Sequence, residues 1–507
     1  MLAPRMQEPR VTTLDRLIGW INPRAGLARH FDRIRLQRAY DAASPRDGWK
    51  PRRAGASANT DHQADAATTR AKARALYQNV PYVRAGIEAL VSSTIGTGIV
   101  TYSTSKRHAA TLNALYEQWV KSCDADGRLD WYGMQAVADR AMENDGEVLI
   151  RLRPRRLEDG YPVPLQLQLL EIDWLDNTRQ TGAHGNNTIV NGIEYDVLGR
   201  VAYYWLWDRH PGELVGYNRG ATRMQSAPVP ASSIIHLYAP DRPGAGRGFP
   251  RVATVIPRVR DLQLYEDAEL ARKNLESRLG VLVSGDVRSM ADSVKYDQSS
   301  NSSSLGDLPS GGMVQLPPGA NITTVAPQPA VGYVDYVKQQ LHLIAVGMGV
   351  TYEMMTGEMR DVNFSSARVR LIDFRRQIEA KQWLTHVPRL CVPVWNAFVD
   401  AAVLAGKIPR PDYACDHSMP KWDYVNPEQD ARSELTLIGA GLLTISESLR
   451  RRGYKPDVVF AELKSDFDKL RQLGVLDVLL ALQGKTTAAS PATPADSTAP
   501  AKPAATA

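Results

Sequence analysis

Apolar residues recur along this chain with two different spacings, and the change from one to the other divides it. Leu14-Asp-Arg-Leu-Ile-Gly-Trp-Ile-Asn-Pro23 has the spacing of a short amphipathic helix stopped near Pro23, and residues 29–40 are basic with a helical pattern. Residues 63–90 read as one helix running across Pro81, with Leu76, Val83, Ile87 and Leu90 on one face. Two further helices are predicted over 104–121 and 131–144. The period then shortens to two. Residues 146–153 read as a strand, and Leu165-Gln-Leu-Gln-Leu169 alternates strictly, as a half-buried strand does. Residues 192–200 predict a hairpin turning near Leu198-Gly199, with Val201-Ala-Tyr-Tyr-Trp-Leu-Trp207 as its return and Ser233–Tyr238 as another strand. Helices that lead into an antiparallel β region make an α+β fold.

The helical period returns after the Pro- and Gly-rich loop 241–250. A long helix is predicted from about Arg251 to Arg278, with Val255, Val259, Leu262, Tyr265 and Leu270 spaced along it. Gly280–Ser284 reads as a strand, 297–312 as a polar Ser-rich loop, and 312–317 with 320–325 as a small hairpin around Pro317-Pro-Gly319. Residues 333–348 are helical, 349–363 a loop, and 365–384 a long helix continuing in pieces to Ala405, capped by the hydroxyl of Ser365 or Ser366. Helices follow over 426–453 and 457–482. From Lys485 to Ala507 the chain is Ala, Pro, Thr and Ser with two lysines and one aspartate, a composition that cannot bury a core and reads as disordered tail.

The length of 507 residues suggests two to four structural units. No stretch approaches the roughly 20 apolar residues of a membrane span, and no secretory signal pattern opens the chain, so a non-membrane protein made and used inside a cell is expected. Cys123, Cys391 and Cys415 are far apart and form no C-x-x-C pair, so neither a disulfide framework nor a structural zinc is expected. The net charge of +6 is unevenly placed: residues 1–80 carry +8 and the remainder −2. The Pro-, Gly- and Arg-rich residues 44–62 fit a solvated basic arm, or one that contacts a neighbouring subunit or DNA. A tight DNA binder shows a basic face, and the near-neutral body gives no sign of one.

The common catalytic motifs are missing: there is no G-x-x-x-x-G-K-[ST], no H-E-x-x-H and no G-x-S-x-G. No cofactor is implied. Three weaker constellations remain. Glu143, Asp145 and Glu147 at a helix-to-strand junction fit either a divalent-metal site or a solvated acidic turn. His236 with Asp241 has the members of a base and its orienting acid, but no nucleophile accompanies them, and a strand histidine before a Pro-Gly turn describes them as well. On the long helix, Glu266, Asp267 and Glu269 neighbour Arg272, Lys273 and Glu276. The i,i+4 pairs Glu269–Lys273 and Arg272–Glu276 fit solvated ion pairs or contacts between subunits of a ring.

Several stretches resemble the portal proteins of tailed phages, specifically the lambda-type family. They run in that family's order from residue 14 to about 453: the opening 14–23 with Arg38-Ala-Tyr-Asp-Ala-Ala43; Asn79-Val-Pro-Tyr-Val-Arg84 with Ile95-Gly-Thr-Gly-Ile99; Glu143-Asn-Asp-Gly-Glu-Val-Leu-Ile-Arg151; His236–Gly244 with Arg247-Gly-Phe-Pro250; Tyr265–Leu270 with Glu276-Ser277; and Gly349–Gly357 with Asn363–Arg368 and Phe374-Arg-Arg376. No single stretch is chemically specific; the joint order carries the resemblance.

The resemblance implies a non-enzymatic subunit of a homo-oligomeric ring, in that family a dodecamer, at the capsid vertex of a virion, built in the host cytoplasm. It implies passage of double-stranded DNA in packaging and ejection. The implied partners are the terminase large subunit, major capsid and scaffold proteins, and neck or head-completion proteins, with no membrane. The expected parts are a basic N-terminal arm (1–62), wing (63–250), first stem helix (251–279), clip (280–330), second stem helix (331–348), tunnel loop and long wing helix (349–425), crown (426–484) and tail (485–507). Arg360, Asn363, Ser365, Ser366 and Arg368 fall where portals line their channel, and Glu266, Glu269, Arg272 and Lys273 on the stem. The alternatives are a metal-dependent DNA-processing enzyme using Glu143, Asp145 and Glu147, and another neck or tail component. One prediction follows from composition: deleting residues 485–507 should leave folding and assembly intact, measured as particle mass, and loss of assembly would refute the disordered-tail reading.

Overall fold

The computed structural model describes Trp20 and residues 55–213, 224–277, 280–284, 321–325, 332–360, 363–423 and 426–475. Apart from Trp20, the expected helices at 14–23 and 29–40, the Ser-rich loop 297–312, the strand at 312–317 and the tail 485–507 lie outside the described residues.

Helix α1 (Ala58–Asn79) and helix α2 (Pro81–Thr94) are two elements, not the single one the spacing predicts. Val80 between them is extended, because the ring of a following proline disfavours helical backbone in the residue before it, while Pro81 itself suits a first helical turn. Strand β1 (Val100–Ser103), helix α3 (Ala109–Val120) and helix α4 (Trp131–Asp145) follow. Asp130 caps α4 by accepting from the Gly133 amide at 2.7 Å. Buried Gln135 on α4 bonds both the amide and the carbonyl of Ile99, at 2.8 and 3.0 Å, and so pins the chain entering β1.

The β region is antiparallel, as the alternation predicts. Strands β2 (Glu147–Pro154) and β3 (Leu165–Glu171) pair in register Ile150↔Leu169. Strands β4 (Thr188–Val190), β5 (Ile193–Tyr195), β6 (Val201–Trp207) and β7 (Ser226–Pro230) form a four-stranded sheet in that order. Strand β8 (Ile234–Tyr238) returns to the first sheet, giving the order β3-β2-β8. Leu149, Leu170 and Ile234 from one sheet pack with Ile193, Tyr204, Leu206 and Val229 from the other. The opposite face of β3-β2-β8 offers Val148, Ile150, Leu167 and Leu237 to a second core.

Helix α5 (Ile256–Ser277) begins after a short 3₁₀ turn at Arg251–Thr254. Strand β9 (Gly280–Ser284) pairs antiparallel with strand β10 (Asn321–Val325). The second half of the hairpin expected between 312–317 and 320–325 pairs along one edge with a strand some forty positions earlier, a partner that no local pattern encodes; its first half lies outside the described residues. Helix α6 (Tyr333–Met348) matches its predicted span. The expected loop after it holds a short helix, α7 (Tyr352–Thr356).

Helix α8 (Phe364–Lys381) passes into a π-helical segment (Gln382–Cys391) and then helix α9 (Val392–Leu404). Asn363 caps α8 by accepting from the Ser366 amide at 2.8 Å, in place of the Ser365 or Ser366 hydroxyl the sequence suggests. Among the described residues the run Ser365–Leu404 is the one helix long and apolar enough to cross a membrane, and half of its apolar window is buried in the fold. Leu390, Val394, Trp395 and Phe398 pack against Trp119, Trp131 and Tyr116, so its apolarity is that of a core helix. Strand β11 (Cys415–Ser418) pairs antiparallel with β1, more than 300 positions away and unanticipated from sequence.

The region expected as helices 426–453 and 457–482 contains helix α10 (Pro427–Gly439), helix α11 (Ile445–Arg451) and helix α12 (Pro456–Gln472). A third core joins α1, α2 and α5 to α6, α7 and α8 through Ile87, Leu90, Val259, Leu341, Ile344 and Phe374.

Candidate functional site

Two glycines decide where the chain's charged residues meet. Helix α4 ends at Asp145 and β2 opens with Glu147, and Gly146 turns the chain between them at φ 92°, a conformation glycine reaches without a Cβ penalty. A Cβ on Gly146 would stand 2.5 Å from the carbonyl carbon of Phe249, and one on Gly248 only 2.3 Å from the oxygen of Gly146. The loop after β8 therefore lies backbone to backbone against the α4–β2 turn, and that contact delivers Arg247 to Glu147.

Glu147 is fully buried and takes a two-pronged bond from the Arg247 guanidinium, Nε to Oε2 at 2.6 Å and Nη2 to Oε1 at 2.7 Å. His236 donates to Oε2 at 3.0 Å, and His62 and Arg70 approach Oε1 at 3.3 and 3.7 Å. Burial alone would raise the Glu147 pKa; the Arg247 charge and the two histidine bonds outweigh it and hold the carboxyl well below its usual range. Arg247 Nη1 also donates to Asn177 Oδ1 at 2.8 Å and the Asn191 carbonyl at 3.1 Å, tying the four-stranded sheet's approach to the same node.

The other two acidic residues each have their own cation. Glu143 accepts from Arg251 at 2.9 Å and from Lys381 at 2.8 Å. Asp145 accepts from Arg74 at 3.0 and 2.6 Å. Both expectations for Glu143, Asp145 and Glu147 are thereby corrected. They are buried, not a solvated turn, and their oxygens face fixed guanidinium and ammonium groups instead of converging on space for a divalent ion. His236 is likewise no partner of Asp241; it bonds Glu147, and burial lowers its pKa more than that bond raises it.

Sequence reasoning missed a second buried node. Asp139, on α4, accepts from Lys381 at 2.7 Å and His386 at 2.9 Å with essentially no exposure. Burial would raise Asp139; Lys381 and His386 reverse that and bring it down to about 2. Residues five apart lie about 140° apart on an α-helix and could not both reach one carboxylate. The π-helical i→i+5 pattern from Gln382 onward sets Lys381 and His386 on one side. A lysine and a histidine five apart, just before the apolar run Val392–Leu404, were the available signal.

Arg360 is exposed, Asn363 and Ser365 stand exposed at the start of α8, and Ser366 Oγ donates back to the Asn363 carbonyl at 3.1 Å. Arg368 reaches out of that helix to Asp430 on α10 at 2.6 Å and to Gln429 at 3.1 Å. On α5, Arg272 pairs with Glu269 at i,i+3, with bonds of 2.9 and 2.5 Å toward the preceding turn. Glu266 is half-buried, and burial with neighbouring Asp267 raises its pKa. The structure brings none of the stem candidates to the α8 group. Among the described residues Glu171, Asp173 and His210 cluster as metal ligands would. Arg74 already stands 2.6 Å from Asp173 and 3.4 Å from Glu171, so a positive charge occupies the approach.

Residues 44–382 match the family model described as phage portal protein, lambda family. The chain is 26% identical over 378 residues to a probable portal protein of Halomonas phage phiHAP-1, covering 71% of this chain and 70% of that one. Among solved structures it resembles a chain in the neck of a native GTA particle computed with C12 symmetry, at TM-score 0.43 and 14% identity over 76% of this chain and 94% of that one. It also resembles an HK97 family phage portal protein from Corynebacterium diphtheriae, at TM-score 0.31 and 11% identity over 72% and 98%.

The buried node generates two expected outcomes. Glu147→Ala leaves Arg247 buried without its counter-charge and should lower stability by about 3–5 kcal/mol in chemical denaturation; a loss under about 1 kcal/mol would show the pair to be dispensable. The pH profile should fall on the acid side. In His236, Glu147, Glu143 and Asp139 the folded pKa lies below the ordinary value, so the unfolded chain binds more protons. Their stabilisation is complete above the ordinary histidine value of 6.5 and lessens as pH drops. It is lost steeply below the ordinary glutamate value of 4.5. A denaturation midpoint unchanged from pH 7 to pH 4 would refute this.

Proposed function

Because this chain belongs to the lambda family of phage portal proteins, we propose that copies of it close into a ring around an axial channel through which double-stranded DNA enters and leaves the capsid. The observation that carries the reading is the family match over residues 44–382, within which the Glu143–Arg151 and Arg247–Pro250 motifs meet at the Glu147–Arg247 pair. Two of the stretches that resemble the family thus meet where the helical and β parts are held together.

In this reading the β region and the helices before it form the wing, α5 and α6 the two stem helices, 280–330 the clip, and 426–484 the crown. A dodecamer is the expected ring. The clip would meet the terminase large subunit and later the neck proteins, and the outer surface the capsid and scaffold proteins. Glu266, Glu269, Arg272 and Lys273 would face the neighbouring stem.

The start of α8 is the proposed channel surface. Asn363, Ser365 and Ser366 offer neutral polar groups, Arg360 one cation, and Arg368 is half neutralised by Asp430. Such a surface touches phosphates weakly. Each added cation would strengthen and slow the contact, because phosphate neutralisation releases counterions. Backbone contacts carry no base information, so DNA of any sequence passes. The role is structural and needs no catalysis. The nuclease reading required Glu143, Asp145 and Glu147 to hold magnesium, and their oxygens are bound by Arg251, Lys381, Arg74 and Arg247.

Negative-stain electron microscopy of the purified protein tests the ring. Closed particles with an axial opening are expected; a protein that stays monomeric under every assembly condition, or particles without an opening, would overturn it. Ser365→Arg should slow DNA packaging in vitro, with the defect shrinking as salt rises. An unchanged rate would remove α8 from the channel.

A further inference from the structure

Residues 426–475 fold as three helices with almost no core of their own. Leu443 is the one large apolar side chain buried among the described residues of this segment. Its ties to the rest of the fold include polar ones: Arg368 to Asp430 at 2.6 Å, Arg450 to Asp416 at 3.7 Å, and Lys455 to Glu117 at 2.8 Å. Meanwhile Phe460, Leu463 and Phe467 are 40, 47 and 53% exposed at i, i+3 and i+7, one continuous stripe along α12. A second set, Leu435, Leu442 and Ile445, stands 69, 77 and 55% exposed on α10, the turn after it and the start of α11. Helices gain most of their stability from packing an apolar face, so a three-helix segment in this state is incomplete. Exposed apolar surface on this scale marks an interaction site.

We infer that the α12 stripe of one copy packs on the Leu435, Leu442 and Ile445 patch of the next copy, making this segment a subunit-to-subunit interface. The inference rests on the ring reading above and names one surface that closes it. Three observations select a second copy as the occupant. A head-to-tail ring needs two different complementary patches on the same chain, and this segment displays two. Residues 426–475 contain eight Lys and Arg against eight Asp and Glu, so like copies meet without net repulsion and a polyanion such as DNA finds no basic face. Residues 476–482 that follow, apolar but for Asp477, are too few to cover the whole stripe. Folded back along α12 as a helix, seven residues span about 10 Å and reach the level of Phe467, whereas Phe460 lies about 20 Å from the turn. The turn at Gly474, φ +67°, ends α12 beside its last apolar residues and not beside Phe460.

The test uses the full chain and compares wild type with Phe460→Ser/Phe467→Ser, following assembly by native mass spectrometry across protein concentration. Rings are expected from the wild type, and at least a tenfold higher protein concentration for half-assembly of the variant, with the monomer's denaturation midpoint unchanged. Rings from both at the same concentration would overturn this interface and leave the ring reading standing. A wild type that never assembles would overturn the ring reading itself. Should the double variant misfold, Leu463→Cys combined with Leu442→Cys in a Cys415→Ser background decides the matter, with one thiol on the stripe and one on the patch it packs against. Oxidation within assembled particles should yield disulfide-linked copies, and an intact ring without them refutes the proposal; the Leu463→Cys variant alone, which places no second thiol across the interface, is the control. If alkylation of that cysteine in the monomer quickens tenfold once residues 476–507 are deleted, the chain's own segment is the occupant and the proposal is wrong.

Discussion

A carboxylate taken wholly out of water has to be neutralised where it stands, and Glu147 imposes that condition on this fold. Its counter-charge comes from Arg247, a hundred positions later, and its remaining hydrogen bonds come from His236 on β8 and His62 on α1. Those partners belong to a helix, a strand and a loop that share no local sequence. Satisfying one side chain therefore fixes how the N-terminal helix, the three-stranded sheet and the loop before α5 sit together. The Gly146–Gly248 contact makes the geometry possible, since any side chain there would hold the two segments apart.

The same logic repeats around Asp139 and Glu143. Lys381 bridges both, and Arg251 joins Glu143 to the turn that starts α5. The long helix from α8 to α9 is thus anchored to α4 by charge at the point where its backbone loosens into π-helical turns. Buried ion pairs suit a junction that must keep its parts in one arrangement. Removing one partner is costly, and the bidentate geometry resists sliding. The start of α8, proposed above as the channel surface, has a different character: Asn363, Ser365 and Ser366 are short and neutral, beside the two arginines Arg360 and Arg368.

Much of the secondary structure was legible along the chain. The alternation of β2, β3 and β6 and the spans of α4 and α6 follow from local period and capping, because side-chain periodicity reports which face of an element is covered. Pro81 was read as tolerated within a helix, although its ring ends one helix and starts another. The cap went to Asn363, two positions before the first of the hydroxyls expected to supply it. The acidic trio was legible as a cluster and illegible as chemistry. Spacing shows that Glu143, Asp145 and Glu147 are close, and nothing nearby in sequence shows that Arg251, Arg74 and Arg247 will meet them. The same limit hid the β1–β11 pair and the partner of β10.

The sequence alone determined the α+β class, the positions of most helices and strands, the near-neutral charge of the body and, through motifs in order, the portal family. These are properties of composition and local period, which neighbouring residues carry between them. Tertiary structure decided what the charged residues do, which strands pair across hundreds of positions, and which apolar faces remain uncovered. Each of those depends on groups far apart in the chain arriving at the same place, and a carboxylate's role is set by what stands within about 3 Å of it once the chain has folded.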